Sequence, residues 1–108
     1  MAESGSSGSG DAALRAEFHS QTARIHWHDL QPHYASGAVV TVEEGMDLVE
    51  VAIQLRRDNK AQFEAWIAGG QVAGVSDDQA RAWYDSNPEL WAVVVAPWVL
   101  VQAGSAPA

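Results

Sequence analysis

Four histidines, His19, His26, His28 and His33, fall within fifteen residues, with Glu17 and Asp29 nearby. Neutral imidazoles are good ligands for zinc, copper or nickel, and a positioned histidine is the commonest general acid or base. The spacing here does not assemble either site. His26 and His28 share a face in an extended chain but oppose each other on a helix. Asp29 and His33 stand four apart and can pair on one helical face. No HExxH pattern occurs. The segment is therefore expected to be surface helix without metal and without catalysis. His26, His28 and His33 are the residues that would hold a metal in the alternative reading, in which the His19–His33 segment makes the protein a small metal-binding protein or enzyme.

Other routes to chemistry are weaker still. The sequence has no GxSxG, no SxxK and no cysteine, so the familiar activated nucleophiles are missing. Ser20, Ser36, Ser76 and Ser86 read as caps and turn formers. The glycines of AGGQVAG lack the Lys-Ser/Thr of a phosphate loop and read as a helix stop and a turn. Glu43, Glu44, Asp47 and Glu50 cluster around Gly45 without calcium-loop spacing. No catalytic residue and no cofactor is expected.

Five tryptophans in 108 residues are many for a small domain: Trp27, Trp66, Trp83, Trp91 and Trp98. Burying every indole and also satisfying every N–H is difficult, and tryptophan is enriched where proteins dock. Most are expected in the core. Trp27, Trp91 and Trp98 are the candidates for contact with another protein or with a second copy of the chain. The formal charge of −8, from 14 acidic and 6 basic residues, opposes nucleic acid, whose phosphates need a positive surface, and opposes anionic membranes. The most apolar run, Leu90 to Val101, is far short of the ~20 residues that span a bilayer. With no cysteine and no basic stretch leading into an apolar leader, the expected compartment is the cytoplasm.

The elements that must position these residues can be read from periodicity. Residues 1–10 are Gly/Ser-rich and are expected to be a flexible tail, as are residues 103–108. A single domain is then expected over 11–102. Leu14, Phe18, Thr22 and Ile25 recur at four, four and three, which predicts a helix over Asp11–Arg24 with Asp11 as its cap. Trp27, Leu30 and Tyr34 continue a helical pattern that Pro32 should kink or restart. Ala38–Val42 reads as a strand. Asp47–Arg57 satisfies both periods, since Val49, Val51, Ile53 and Leu55 alternate while Leu48, Val51, Ala52 and Leu55 share a helical face. Asp47 with Glu50 makes a capping pair, and helix is preferred. Asp58 should cap a helix through Ala68, with Phe63, Trp66 and Ile67 inward and Gly69-Gly70 as its stop. Gln71–Val75 is a short strand. Ser76 with Gln79 should open a helix that Asn87-Pro88 ends. Trp91–Gln102 is apolar on both faces and is expected as one strand in the middle of a covered sheet, with a bulge or edge at Pro97, where the proline would act as a guard against edge pairing.

Ile25-x-Trp27 leading to Asp29-Leu30, SGAVVTV, DLVEVA, AQFEAWIAGG and LWAVVVAPWVLVQ together resemble the small bacterial proteins grouped as domain of unknown function 2288. The resemblance covers nearly all of the folded part. It implies a single bacterial domain and assigns no activity. The fold expected is α+β, a small sheet of about three strands covered by about four short helices as one layer pair. The function expected is that of a non-catalytic acidic domain working through protein–protein contact.

Overall fold

The computed structural model describes residues 2–104, with side chains described from residue 12 onward. Of the tail expected at 103–108, residues 105–108 lie outside the described residues. The elements run α1 (Ala2–Gln21), β1 (Ala23–His26), α2 (Trp27–Ala35), β2 (Val39–Val42), α3 (Leu48–Arg56), α4 (Lys60–Ala68), β3 (Val72–Gly74), α5 (Asp77–Ser86), β4 (Glu89–Val95) and β5 (Trp98–Gln102). The class is α+β as expected, but the described residues hold five strands and five helices rather than about three and four. Helix α1 extends back through the Gly/Ser stretch expected as a tail and through Asp11, expected as its cap.

The strands form one sheet in the order β1-β4-β5-β2-β3. Every neighbouring pair is antiparallel except β2 with β5, which is parallel. Helices cover both faces, so the molecule has three layers instead of one layer pair. On one face Phe18 of α1, Leu48, Val49, Val51, Ala52 and Ile53 of α3, and the partly buried Phe63 and Trp66 of α4 pack on Val42, Val72, Val93, Val95 and Leu100. On the other face Trp27 and Leu30 of α2 and Ala80 of α5 pack on Val39, Leu90, Ala92, Val99 and Val101. Successive side chains of a strand point to opposite faces. The apolar run Leu90–Val101 thus supplies both cores.

That run is a hairpin rather than one strand. Val95 pairs with Trp98 across a two-residue turn, Ala96-Pro97, whose peptide bond is cis. Pro97 guards no edge; lacking an N–H, it sits where the ladder reverses. Both strands of the hairpin are interior, which agrees with the covered position expected for the run. Strand β1 has no counterpart in the sequence reading. The chain leaves α1 at Thr22, whose amide and hydroxyl both donate to Phe18 O, and then pairs Ala23–His26 with Glu89–Ala92.

Asp47–Arg57 is helical, with Asp47 accepting from the amides of Val49 and Glu50. Glu50 turns away from that box to accept from Arg15 and Gln54. Asn59, not Asp58, caps α4 by accepting from the Gln62 amide, and Asp58 takes the left-handed turn conformation with φ of 58°. Ser76 caps α5 by accepting from the Gln79 amide, and Asn87 ends it in the left-handed conformation. Pro32 lies inside α2, which continues through it as one element. One polar side chain is buried among the described residues: Gln102, whose Nε2 donates to Glu43 O at 2.9 Å and Met46 O at 2.7 Å. It ties the end of β5 to the turn between β2 and α3.

Candidate functional site

The histidines do not converge. His19 lies on α1, His26 ends β1, and His28 and His33 lie on α2; all four are exposed. The His28 Nε2–H donates to Tyr84 O at 2.8 Å, and its ring rests 4.8 Å from that of Tyr84. Its amide donates to Asn87 Oδ1, so Asn87 serves an orphan donor in the first turn of α2. These contacts make His28 a link between α2 and α5. Among the described residues no group of three or more His, Cys, Asp or Glu side chains could hold a metal ion.

The tryptophans divide by depth. Trp27 is fully buried, its ring 5.4 Å from Tyr34 and 5.1 Å from Trp83. It leaves no surface for a partner and acts as the pin that holds α2 and α5 on the sheet. Trp91 is half-buried beneath the guanidinium of Arg24, 5.4 Å from the ring centroid. Trp98 is 38% exposed at the start of β5. It borders an apolar groove of about 410 Å³ between α4 and the β2–β3 end of the sheet, with Leu55, Phe63, Ile67, Val72 and Gly74 as neighbours. Ile67, expected on the inner face of its helix, is 54% exposed. Phe63 and Trp66 face inward, their rings 5.9 Å apart.

A second groove, of about 430 Å³, lies on the opposite face between the β2–β3 end and α5. Glu43 and Glu44 rim it, Gln79 and Trp83 line its wall, and no lysine or arginine contributes. Both grooves reach Ala73 and Gly74 of β3. The sequence reading did not find the acidic groove, and it placed Ile67 inward. The visible signal was three bulky apolar side chains, Phe63, Trp66 and Ile67, on a nine-residue helix with a sheet edge next to it. Beside this site, Tyr34 Oη donates to Asp77 Oδ1 at 3.2 Å. Desolvation and then this bond to the carboxylate raise the phenol above its ordinary value of 10.0.

No helix among the described residues is long and apolar enough to cross a membrane. Among solved structures the chain is similar to the NMR solution structure of PA1075 from Pseudomonas aeruginosa, at 42% identity over 87% of each chain and with a TM-score of 0.75. No curated protein matches. Residues 13–103 match the family described as protein of unknown function (DUF2288). That range holds every stretch on which the sequence resemblance rests, from Ile25-x-Trp27 to LWAVVVAPWVLVQ. A match that starts beside the first packed turn of α1 and ends just past β5 spans the whole sheet, and the chain belongs to the DUF2288 family.

Proposed function

We propose that this protein is a non-catalytic interaction domain of the cytoplasm, acting by contact with another protein or with a second copy of itself. The observation that supports this reading is the apolar groove at α4, where Trp98 and Ile67 stay 38% and 54% exposed beside Phe63 and Leu55. Large apolar side chains gathered in one open groove, rather than scattered singly, mark interaction sites. The net charge of −8 and the dispersed histidines fit a protein partner better than nucleic acid or a metal. The test compares wild type with Ile67→Glu. Capture from the native cytoplasm, read by mass spectrometry, should return a partner that the variant fails to return, or sedimentation should show concentration-dependent mass that the variant lacks. Equal behaviour of the two proteins in both assays, with the variant folded by circular dichroism, would remove the groove from the function.

A further inference from the structure

The basic residues are unevenly placed. Residues 54–68 carry three basic and two acidic side chains, while the rest of the chain carries three basic and twelve acidic. Elsewhere the cations have acids beside them. Arg15 bonds Asp47 and Glu50, and Arg24 lies over Trp91 with Glu89 at 4.0 Å. Arg81 stands one helical turn from Asp77 and Asp85 on α5. At the turn between α3 and α4 the balance is reversed: Arg56, Arg57 and Lys60 surround Asp58. Arg56 and Lys60 are exposed, and neither side chain has a hydrogen bond or ion pair among the described residues. Lys60 borders a recess of about 110 Å³ that shares Leu55 and Phe63 with the apolar groove, and Arg56 follows Leu55 at the end of α3. The apolar groove therefore opens at one end onto a positive corner, in a molecule of charge −8.

We propose that this groove takes an amphipathic helix of a partner protein, with apolar anchors at helical spacing and carboxylates gathered at the end that reaches Arg56 and Lys60. The proposal rests on the interaction reading above and gives the partner its chemistry. Lys60, Phe63 and Ile67 follow one another along α4 at spacings of three and four, a stripe about 10 Å long at 1.5 Å per residue. Two turns of a helix laid alongside match that length, with apolar residues three or four apart over Phe63 and Ile67 and an acid at the Lys60 end. Trp98 forms the facing wall. A small ligand binds where a pocket encloses most of its surface. Here Ile67 and Trp98 stay 54% and 38% exposed, so the occupant must cover the rim as well as the floor. A partner charged along its whole length, such as nucleic acid, would meet the twelve acidic residues outside this stretch, whereas a helix acidic at one end meets the corner alone. A second copy could bring acids only from a different surface, a head-to-tail contact that gives rings or filaments rather than a two-fold dimer.

The probe is an end-capped, dye-labelled peptide of about fifteen residues, long enough to hold a helix, with leucines along one face and glutamates at one end of it. Anisotropy titration should show binding that weakens as salt rises, because the corner contacts are exposed ion pairs. The double variant Arg56→Glu/Lys60→Glu should bind about tenfold more weakly, as two attractions become two repulsions. The same variant should bind a lysine-for-glutamate peptide better than wild type does, and Glu64→Lys should tighten the glutamate peptide. Circular dichroism checks that each variant is folded, and the salt series on the unaltered protein makes the test without substitution. Equal binding of the glutamate and lysine peptides by wild type, or no binding of the glutamate peptide at about 1 mM, the weak end of specific recognition, would overturn the proposal. So would glutamate-peptide binding that Ile67→Glu leaves unchanged, which would place the peptide outside the groove. Sedimentation in which the wild type self-associates and the double variant does not would make the second copy the occupant and overturn it too. If the charge changes have no effect while Ile67→Glu still abolishes capture from the cytoplasm, the acidic helix falls and the broader interaction reading stands.

Discussion

Substituting Gln102 by leucine isolates the contribution of the one buried polar side chain among the described residues. Its Nε2 makes two bonds, at 2.9 and 2.7 Å, to Glu43 O and Met46 O. At about 1 kcal/mol net for each bond, their loss costs about 2 kcal/mol, and the added apolar burial of leucine offsets part of it. The net expectation is a loss of about 1–2 kcal/mol, which moves a urea midpoint down by about 1 M at a slope of 1–2 kcal/mol per M. Gln102→Glu sharpens the test. A carboxylate there would face two carbonyl oxygens with no proton to donate, so its folded-state pKa would rise above the ordinary 4.3 or so. A raised acid pKa gives stability that is present below about 4.3 and lost as pH climbs toward the folded value, at up to about 1.4 kcal/mol per pH unit. Urea melts of both variants and wild type, taken as differences at each pH from about 4 to 7, read this directly. An unchanged midpoint for Gln102→Leu, or a flat pH difference for Gln102→Glu, would refute the idea that Gln102 anchors the turn before α3.

Val95→Asp should abolish soluble folding, because Val95 is 7% exposed and an unpaired buried charge costs several kcal/mol against a total of about 5–15; solubility and circular dichroism check it. Trp98→Ala should cost less than the roughly 3–5 kcal/mol of a core tryptophan, since Trp98 is 38% exposed, and a urea melt measures it. Asp47→Ala removes a cap that serves two amides and an ion pair with Arg15. It should cost about 1–2 kcal/mol, of which only the ion-pair share is weakened by salt. Asp77→Ala should lower the pH at which Tyr34 forms phenolate, because the Asp77 bond and charge both hold the phenol above 10.0; ultraviolet difference titration reads the shift. In the wild type any stability linked to this raised value is present below pH 10 and fades as pH rises beyond it.

The sequence was most legible where one local signal dominated. Asp47 carried α3 against a competing strand pattern, and the reason for that competition is now plain. α3 lies between α1 and the sheet and buries Leu48, Val49, Val51, Ala52 and Ile53. A helix buried over so wide an arc includes residues two apart as well as three and four apart, and imitates alternation. Strand β1 was illegible because four residues cannot establish a period and its partner, β4, lies more than 60 positions downstream. The break at Ala96-Pro97 divided an apolar run that serves two cores, so neither half declared its own face. Trp27 was proposed for the surface on residue type alone. Only the packing of Tyr34 and Trp83 around it, from two different helices, places it inside. Ile67 shows the reverse error: helical spacing assigned it inward, and it stands 54% exposed at the groove beside Phe63.

The strand order has a consequence for how the chain is made. β1 has no pairing partner except β4, and β2 and β3 pair with each other but with no earlier strand. These two parts of the sheet are joined only when the β4–β5 hairpin is inserted between them. A ribosome delivers that hairpin after every other element described here. Until it emerges, the nascent chain must hold α2 and α3 with their apolar surfaces uncovered, and the parallel contact between β2 and β5 demands closure over a long separation, which is slow. Folding must therefore wait until synthesis has passed Gln102, and chains stalled before the hairpin would be natural clients for holding chaperones.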